Sequence, residues 1–430
     1  MSEKGGLTQT PTLKPQLRLF DAIATGLAAI LGAGIFAVIA PAAGIAGPAL
    51  LLSLLLAALV AFCNAMSSAQ LAIVYPRAGG TYEFGRRVLG NWWGYSAGWM
   101  FLVANTVGPG AIALAFGGYV SAILPVVPAH VAAVAAALTM TCINALGIRR
   151  SIRVTDIVVI LSILSLLAFV LIGLAGAHLS NFSPFLPSTG LVGILNATAL
   201  LFFAYTGYSR IATLVEEVHD PESTIVPATV AALGTATSLY ILVAATAIGV
   251  LGASALARSS YPLDATMMAV GSAAGLAIIT AGALLTTFNE GLSDLLGVSR
   301  VAFAMGRGAD LPGRLAKLGE GQNPWRSVLF VGTVAILVAG LAPFTLAIAV
   351  SSFGTLLYYS IANLSALRLK RGQRRFPSAL SAAGLIGCLC LAFSLGLQEI
   401  EIGMIVLLAG LSFRTARLAF AHGIRGQKAG

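Results

Sequence analysis

The stretch Gly-Ala-Gly-Ile-Phe at residues 32–36 lies near the middle of a long apolar run that starts at Phe20. Pro41 and Gly44 follow it within the same run. Glycine and proline both weaken an α-helix. In lipid, a backbone amide or carbonyl without a partner is costly unless it is buried or lines a cavity. The stretch therefore predicts a membrane helix that is interrupted near its centre, beside a cavity.

Composition assigns the rest of the chain to the bilayer as well. Of its 430 residues, 58% are hydrophobic and 9% are charged, whereas about a quarter of the residues in a soluble domain are charged. The mean hydropathy is +0.93. Repeated apolar runs of about 20 residues suit helices that cross a hydrocarbon core roughly 30 Å thick. We therefore expect an all-α polytopic membrane protein and exclude an ordinary soluble domain.

Apolar runs separated by Gly, Pro and charged residues predict about twelve membrane-spanning helices. The predicted spans are 20–46, 49–74, 92–122, 130–147, 154–177, 191–215, 228–250, 265–304, 327–341, 344–368, 379–397 and 400–418. Residues 1–19 and 419–430 are expected to be cytoplasmic tails.

The net charge of +10 follows the topology of the chain. With the amino terminus in the cytoplasm, only Arg258 of the 25 Lys and Arg residues falls in an external connection. The positive-inside rule therefore predicts a multi-pass protein of the cell membrane with both termini in the cytoplasm. Because the basic residues form no single cluster, we expect no nucleic-acid partner.

A second break is predicted in the sixth span, where residues 203–207 read Phe-Ala-Tyr-Thr-Gly. Spans 1 and 6 head two groups of five, over residues 20–177 and 191–368, and residues 379–418 add two accessory helices. Because five is odd, the second group enters the membrane from the opposite side, which is the pattern of an inverted repeat. Corresponding breaks in its leading helices predict a binding site at the middle of the membrane.

The chemistry of these breaks suits a zwitterionic α-amino acid. Freed amides at the start of a half-helix attract a carboxylate, and freed carbonyls accept hydrogen bonds from an ammonium group. The alternative at either site is that glycine only permits close packing between helices.

At these residues the chain resembles the amino acid-polyamine-organocation (APC) transporter family. The similarity extends in order from about residue 20 to residue 320. Its motifs are residues 32–36, residues 75–82 (YPRAGGTY) with Trp93, Gly94, Gly98 and Trp99, residues 202–217 with Asp220 and Pro221, and residues 297–305 with Leu311 and Pro312.

The resemblance implies a five-plus-five inverted-repeat (LeuT-like) core and a secondary active transporter that works by alternating access. It also implies that amides near Gly34 hold the substrate carboxylate, that carbonyls near Ala204 hold its amino group, and that side chains of spans 3, 6, 8 and 10 set selectivity. The expected substrate-binding residues are Gly32, Ala33, Gly34, Ile35, Phe203, Ala204, Tyr205, Thr206, Gly207, Asn105, Thr287 and Ser352.

Two residues are candidates for ion coupling. Some proton-coupled relatives carry a lysine midway along span 5, where this chain has Ser162, so a sodium site that joins Ser162 to span 1 carbonyls and Thr287 or Asn289 stays open. Glu290 is the second candidate, because a charge at the centre of a span costs about 2.5 to 3.5 kcal/mol and so marks a functional group. It could carry a proton or pair with a cationic substrate. Alternatively, it pairs with an arginine.

Other classes of function fit less well. A membrane-embedded enzyme would need a nucleophile and base or a metal site at membrane depth, and no predicted span contains histidine beyond its first residue. A channel would be expected to show a repeated filter motif. We therefore expect a transporter without metal or cofactor, with proton symport as the leading mode and with exchange or sodium symport as alternatives. The oligomeric state is open.

The acidic exit from span 6 could serve the transport cycle. It contains Glu216, Glu217, Asp220 and Glu222, opposite many arginines. These residues could latch the inward gate through salt bridges or form a solvated loop.

Overall fold

The computed structural model describes residues 15–32, 34–319, 322–341 and 344–427. Ala33, one of the expected substrate-binding residues, lies outside this set. The described residues are organised as α-helices joined by short 3₁₀ turns and loops. The helices are α1 (Leu19–Ile30), α2 (Ile39–Ala46), α3 (Leu50–Val74), α4 (Thr81–Val88), α5 (Asn91–Ile123), α6 (Ala129–Ala145), α7 (Ile148–Gly173), α8 (Gly190–Phe202), α9 (Arg210–Thr213), α10 (Pro221–Leu251), α11 (Ala253–Ala257), α12 (Pro262–Val270), α13 (Ala273–Arg307), α14 (Trp325–Leu341), α15 (Phe344–Leu367), α16 (Ser378–Phe393) and α17 (Leu397–Gln427).

Within the described residues, eight helical segments are long and apolar enough to cross a membrane. Helices α6, α14 and α16 are apolar but shorter. Large apolar side chains such as Leu171 and Phe393 are more than two-thirds exposed on the outside of the bundle, as suits side chains that face the hydrocarbon core of a bilayer. The architecture is therefore that of a polytopic membrane protein, as composition predicted.

The predicted first span is interrupted. Helix α1 ends at Ile30, and Leu31 has extended backbone angles of φ −72° and ψ 116°. The chain resumes as a π-helical turn over Gly34–Val38 and continues as α2. A π-helical turn widens the spacing of backbone hydrogen bonds and often marks a functional site.

The predicted sixth span is also irregular. Helix α8 ends at Phe202, and the segment Phe203–Ser209 is wound as a 3₁₀ helix before the short α9. A 3₁₀ run of this length in a helix is unusual, because its hydrogen-bond geometry is poorer than that of an α-helix.

The predicted span 265–304 was wrong at its start, because two helices occupy this range. Helix α12 ends at Val270, and its C-cap Gly271 adopts a left-handed conformation with φ 75°. Ser272 then caps α13 by accepting a hydrogen bond from the Gly275 amide. The adjacent C-cap and N-cap separate the two helices, although the apolar sequence pattern continues across the junction between them.

Helix α5 lies in the interior of the bundle and packs against α6, α13, α14 and α15. The close approach of α5 to these helices depends on small residues, which are enriched where membrane helices pack together. A Cβ atom built on Gly354 of α15, for example, would lie 2.8 Å from the Cβ of Ala104 in α5. Helix α1 packs against α7, α10, α13 and the 3₁₀ segment, so the two irregular segments meet inside the bundle.

Candidate functional site

The two irregular segments touch each other through glycines. A Cβ atom built on Gly34 would lie 2.5 Å from the Cβ and 2.6 Å from the Cα of Ala204. A Cβ built on Gly207 would overlap the carbonyl oxygen of Ala29 and lie 2.7 Å from the Ile30 amide nitrogen. Only glycine fits at these two positions, so the sequence brings the two breaks into direct backbone contact.

Two tyrosines from other helices hold the irregular backbone. The Tyr240 hydroxyl of α10 donates to the carbonyl of Ile30 and lies 3.1 Å from that of Ala204. Since a hydroxyl has one proton, it serves these two acceptors alternately. The Tyr359 hydroxyl of α15 lies 2.6 Å from the Thr206 carbonyl. The backbone at both breaks is thus hydrogen-bonded to side chains of other helices, α10 and α15.

Some of the groups expected to bind substrate are already hydrogen-bonded. The Thr206 hydroxyl donates to the Phe203 carbonyl at 2.9 Å, and the Ile35 amide donates to the Gly32 carbonyl at 3.1 Å. A carbonyl has two lone pairs, and one of them serves the 3₁₀ helix. The Ala204 and Thr206 oxygens also accept from Tyr240 and Tyr359, so an ammonium group would have to replace those hydroxyls. The Ile35 amide would have to exchange its partner to bind a carboxylate.

Glu290 lies directly over the first break. It is 6% exposed, and a Cβ built on Gly32 would overlap its carboxyl group and lie 2.7 Å from its Cβ. Helix α13 therefore presents an ionisable carboxyl group to the backbone of Gly32. Sequence reasoning identified Glu290 as an intramembrane carboxylate, but its position over the break became visible only in the structure.

Asp294, one turn further along α13, pairs with an arginine that we had assigned to topology alone. The guanidinium of Arg210 forms a salt bridge with Asp294, and the two side chains are 3% and 15% exposed. Gly297 leaves room for this pair, because a Cβ there would overlap the Arg210 guanidinium. Arg210 is thus the ion-pair partner of Asp294.

The other expected side chains differ in their bonding. Asn105 donates to the Phe101 carbonyl at 3.1 Å and Thr287 donates to the Ala283 carbonyl at 2.7 Å, each within its own helix. Tyr205 is fully buried with its ring centroid 5.3 Å from that of Tyr240. The Ser352 hydroxyl is buried and has no hydrogen-bond partner among the described residues. The Tyr205 hydroxyl likewise has no partner there, so Ser352 and Tyr205 are the expected selectivity residues with a polar group left to use.

Ser162 joins two helices. Its hydroxyl donates to the Val158 carbonyl at 2.8 Å and accepts a hydrogen bond from Thr286 at 2.7 Å. The second bond links α7 to α13, the helix that carries Glu290.

At one end of the bundle, the acidic exit from the 3₁₀ segment forms buried ion pairs. Glu217 pairs with Arg300 and Glu216 with Arg307. The backbone amides of residues 16–17 both donate to the Glu217 carbonyl, at 2.7 and 2.8 Å. Glu222, by contrast, forms an exposed pair with Arg375. Arg300 and Arg307, assigned to topology from the sequence, thus also pair with the acidic exit, and the salt bridges of that alternative are present at Glu216 and Glu217.

Comparison with known proteins agrees with these features. Residues 21–409 match the amino acid permease family. The chain is 42% identical over 415 residues to an uncharacterized transporter of Mycobacterium tuberculosis, with 96% of this chain and 92% of that protein covered. It is 30% identical over 429 residues to a branched-chain amino acid permease of Bacillus subtilis, with 93% and 92% covered.

A third relative, a methylthioribose transporter of Bacillus subtilis, is 28% identical over 388 residues, with 85% of this chain and 83% of that protein covered. The family and these relatives are transporters rather than enzymes, and the resemblance seen in the sequence motifs is confirmed. The chain therefore belongs to the amino acid permease family.

Proposed function

We propose that this protein is a secondary active transporter that moves amino acids or related organic amines across the membrane by alternating access. The single observation that supports this most strongly is the glycine contact between the two irregular segments, Gly34 on Ala204 and Gly207 on Ala29. Two helices that are interrupted at the same place offer backbone amides, which attract a carboxylate, and backbone carbonyls, which attract an ammonium group, to one dipolar solute.

The proposed topology has twelve membrane-spanning helices with an inverted five-plus-five core and both termini in the cytoplasm. In it, α1 with α2 forms the first span and α8 with the 3₁₀ segment and α9 forms the sixth. Helices α16 and α17 are the accessory pair. The segregation of Lys and Arg supports this orientation in the cell membrane.

In the proposed binding mode, amides of the first break near Gly34 hold the substrate carboxylate. The carbonyls of Ala204 and Thr206 accept from its ammonium group, which replaces the hydroxyls of Tyr240 and Tyr359 there. The substrate side chain meets Asn105, Tyr205, Thr287 and Ser352.

Glu290 is the proposed coupling residue. Its carboxyl group lies over Gly32, next to the amides that would hold the substrate carboxylate. Two unit charges about 4 Å apart repel by about 4 kcal/mol at an effective dielectric constant of 20. Binding of an anionic carboxylate therefore favours uptake of a proton by Glu290, which yields proton symport. Exchange without net proton movement, and sodium symport through Ser162 and Thr287, are the alternatives.

Uptake of labelled amino acids into proteoliposomes tests the transport assignment. The relative named for branched-chain amino acids makes leucine, isoleucine and valine the first substrates to measure. Gly34→Ala should abolish saturable uptake, because its methyl group has no room against Ala204. Gly234→Ala is the matched control, since a Cβ there meets no atom within 4 Å. Uptake that survives Gly34→Ala would contradict the proposed site.

Coupling is tested separately with imposed gradients. Proton symport predicts that an inward proton gradient drives accumulation in the wild type but not in Glu290→Gln, while Glu290→Gln retains counterflow of labelled substrate. Glu222→Gln, in an exposed pair, should behave like the wild type. Accumulation that follows a sodium gradient alone, or counterflow without any driven accumulation in the wild type, would support one of the alternatives instead.

A further inference from the structure

A cavity lies at the end of the bundle that carries α11 and α12, which the proposed orientation makes external. Its volume is about 380 Å³, within the range of small-molecule sites. It lies between the end of α5, residues 259–268 and the first turns of α13. The lining residues are Ala122, Ile123, Ser259, Ser260, Tyr261, Asp264, Ala265, Met268, Leu276 and Thr280.

Asp264 is the single charged residue among those that line the cavity, and its carboxylate has few hydrogen-bond donors. Its Oδ1 atom is buried without a hydrogen-bond partner in the described part of the chain. Its Oδ2 atom lies 2.9 Å from the Thr280 hydroxyl, which is also 2.8 Å from the Leu276 carbonyl. Because that hydroxyl has one proton, Asp264 receives at most a shared bond.

This environment disfavours an isolated negative charge. Burial raises the pKa of Asp264, and the hydrogen bond from Thr280 opposes that rise only in part. A bound cation would stabilise the charged form of such a buried carboxylate, because few hydrogen-bond donors do so in its absence. A divalent metal ion would require six or more oxygen ligands, whereas the walls here include Ile123, Met268 and Leu276.

The remaining lining selects the type of cation. Ser259 and Ser260 bring hydroxyl groups that can accept from an ammonium group, and the apolar walls suit a hydrocarbon body. No lysine or arginine lines the cavity, so the carboxylate of an amino acid would find no charged partner. The site thus differs from the central one in favouring an amine without a carboxylate.

We propose that this cavity binds the ammonium group of an apolar organic amine, with Asp264 as its counter-ion. Two sources carry this chemistry: a free organic amine and the headgroup of an aminophospholipid in the surrounding bilayer.

Ring contacts connect this site to the first break. The ring centroid of Tyr261, in the cavity wall, lies 5.0 Å from that of Tyr119. The Tyr119 ring lies 6.4 Å from Phe36 in the π-helical turn, edge to face. An occupant that fixes Tyr261 therefore resists movement of Phe36 and should slow uptake. This last consequence rests on the proposed transport function, whereas binding itself does not.

Binding to the purified full-length protein in phosphatidylcholine nanodiscs tests the proposal. Phenethylammonium is the probe, 2-phenylethanol is its neutral counterpart, and titration calorimetry is the readout. The wild type should bind the amine at least about tenfold more tightly than the alcohol, the equivalent of one charge-assisted hydrogen bond. Asp264→Asn keeps the shape of the side chain, removes its charge and should abolish that preference.

Arg258→Gln is the control, because it changes one charge in the same connection outside the cavity wall, and it should bind the amine like the wild type. Thermal unfolding of each variant verifies that it is folded.

Repeating the titration in nanodiscs that contain phosphatidylethanolamine distinguishes the two sources of the amine. Loss of probe binding identifies the lipid headgroup as the occupant, and unchanged binding identifies a free amine. Equal affinity for amine and alcohol, an unchanged preference in Asp264→Asn, or no saturable binding in phosphatidylcholine would overturn the proposal. None of these outcomes depends on amino acid uptake, so they are separate from a failure of the transport assignment.

Discussion

Glu217 and Arg300 form a buried two-bond ion pair, with Nε to Oε1 at 2.8 Å and Nη2 to Oε2 at 3.1 Å. Their side chains are 3% and 1% exposed. This pair joins the exit of the 3₁₀ segment to α13, the helix that carries Glu290. Removal of one member leaves a buried charge without its counter-ion, which is among the most destabilising changes that a single substitution can make.

Glu217→Ala should therefore lower the free energy of unfolding by about 3 to 5 kcal/mol. Glu222→Ala is the matched control: its pair with Arg375 is 70% and 40% exposed, and exposed pairs contribute about 0 to 1 kcal/mol. Denaturant unfolding in detergent measures both. Combining Glu217→Ala with Arg300→Ala should cost less than the sum of the two single changes, since the double variant leaves no unpaired charge. Equal losses for Glu217→Ala and Glu222→Ala would show that burial of the first pair is irrelevant.

Tyr240→Phe removes one hydroxyl group and leaves the ring packing intact. That hydroxyl is the donor to the carbonyls of Ile30 and Ala204 at the two breaks. Loss of a donor to a buried carbonyl costs about 1 to 3 kcal/mol, so we expect a lower unfolding temperature and altered substrate affinity. Tyr119→Phe is the control, because the Tyr119 hydroxyl is buried without a hydrogen-bond partner among the described residues. The prediction fails if the two variants lose the same stability.

Ser352→Ala should change the substrate preference of transport without lowering the stability of the protein. The Ser352 hydroxyl is buried without a partner in the described part of the chain, so its removal should leave stability unchanged or raise it by about 1 kcal/mol. If it contacts substrate, the same change should alter the ranking of substrates in uptake competition. Ser360→Ala, on the same helix, removes a hydroxyl that donates to the Leu356 carbonyl at 2.9 Å. It should leave the substrate ranking unchanged. An identical substrate ranking in wild type and Ser352→Ala would remove Ser352 from the binding site.

The positions of the two breaks could be predicted because their signal is local. The glycines Gly32, Gly34 and Gly207 within apolar runs indicate weak points in a helix whatever surrounds them. The gap between α12 and α13 at Gly271 was missed for a related reason, since hydropathy does not distinguish a capping glycine from a packing glycine. Periodicity and composition together thus predicted membrane helices but not every place where they end.

The partners of the breaks could not be predicted, because they are distant in sequence. The Tyr240 hydroxyl reaches a carbonyl 210 residues away, and no feature near Tyr240 indicates that contact. Arg210 is interpreted from the sequence as a topology signal because it falls with the other basic residues on the side that the positive-inside rule assigns to the cytoplasm. Its burial against Asp294 depends on how α9 packs on α13, which a single sequence does not reveal.

Gly297 offers a test of whether the Arg210–Asp294 pair needs a glycine beside it. A Cβ built on Gly297 would overlap the Arg210 guanidinium and lie 2.5 Å from its Cδ. Gly297→Ala should therefore displace the guanidinium from Asp294 and lower the free energy of unfolding by about 3 kcal/mol or more. On helix propensity alone, the same substitution would stabilise by about 1 kcal/mol, so the two effects differ in sign.

Gly340→Ala isolates the propensity effect, because the nearest atom to a Cβ there is 3.6 Å away, and it should be neutral or stabilising. Replacement of both ion-pair partners, by Arg210→Met and Asp294→Leu, removes the charges that Gly297→Ala would separate. Adding Gly297→Ala to that double variant should then cost much less than it does in the wild type, as measured by denaturant unfolding. If the cost is the same in both backgrounds, the glycine is needed for close packing of the helices, and the ion pair has no part in that requirement.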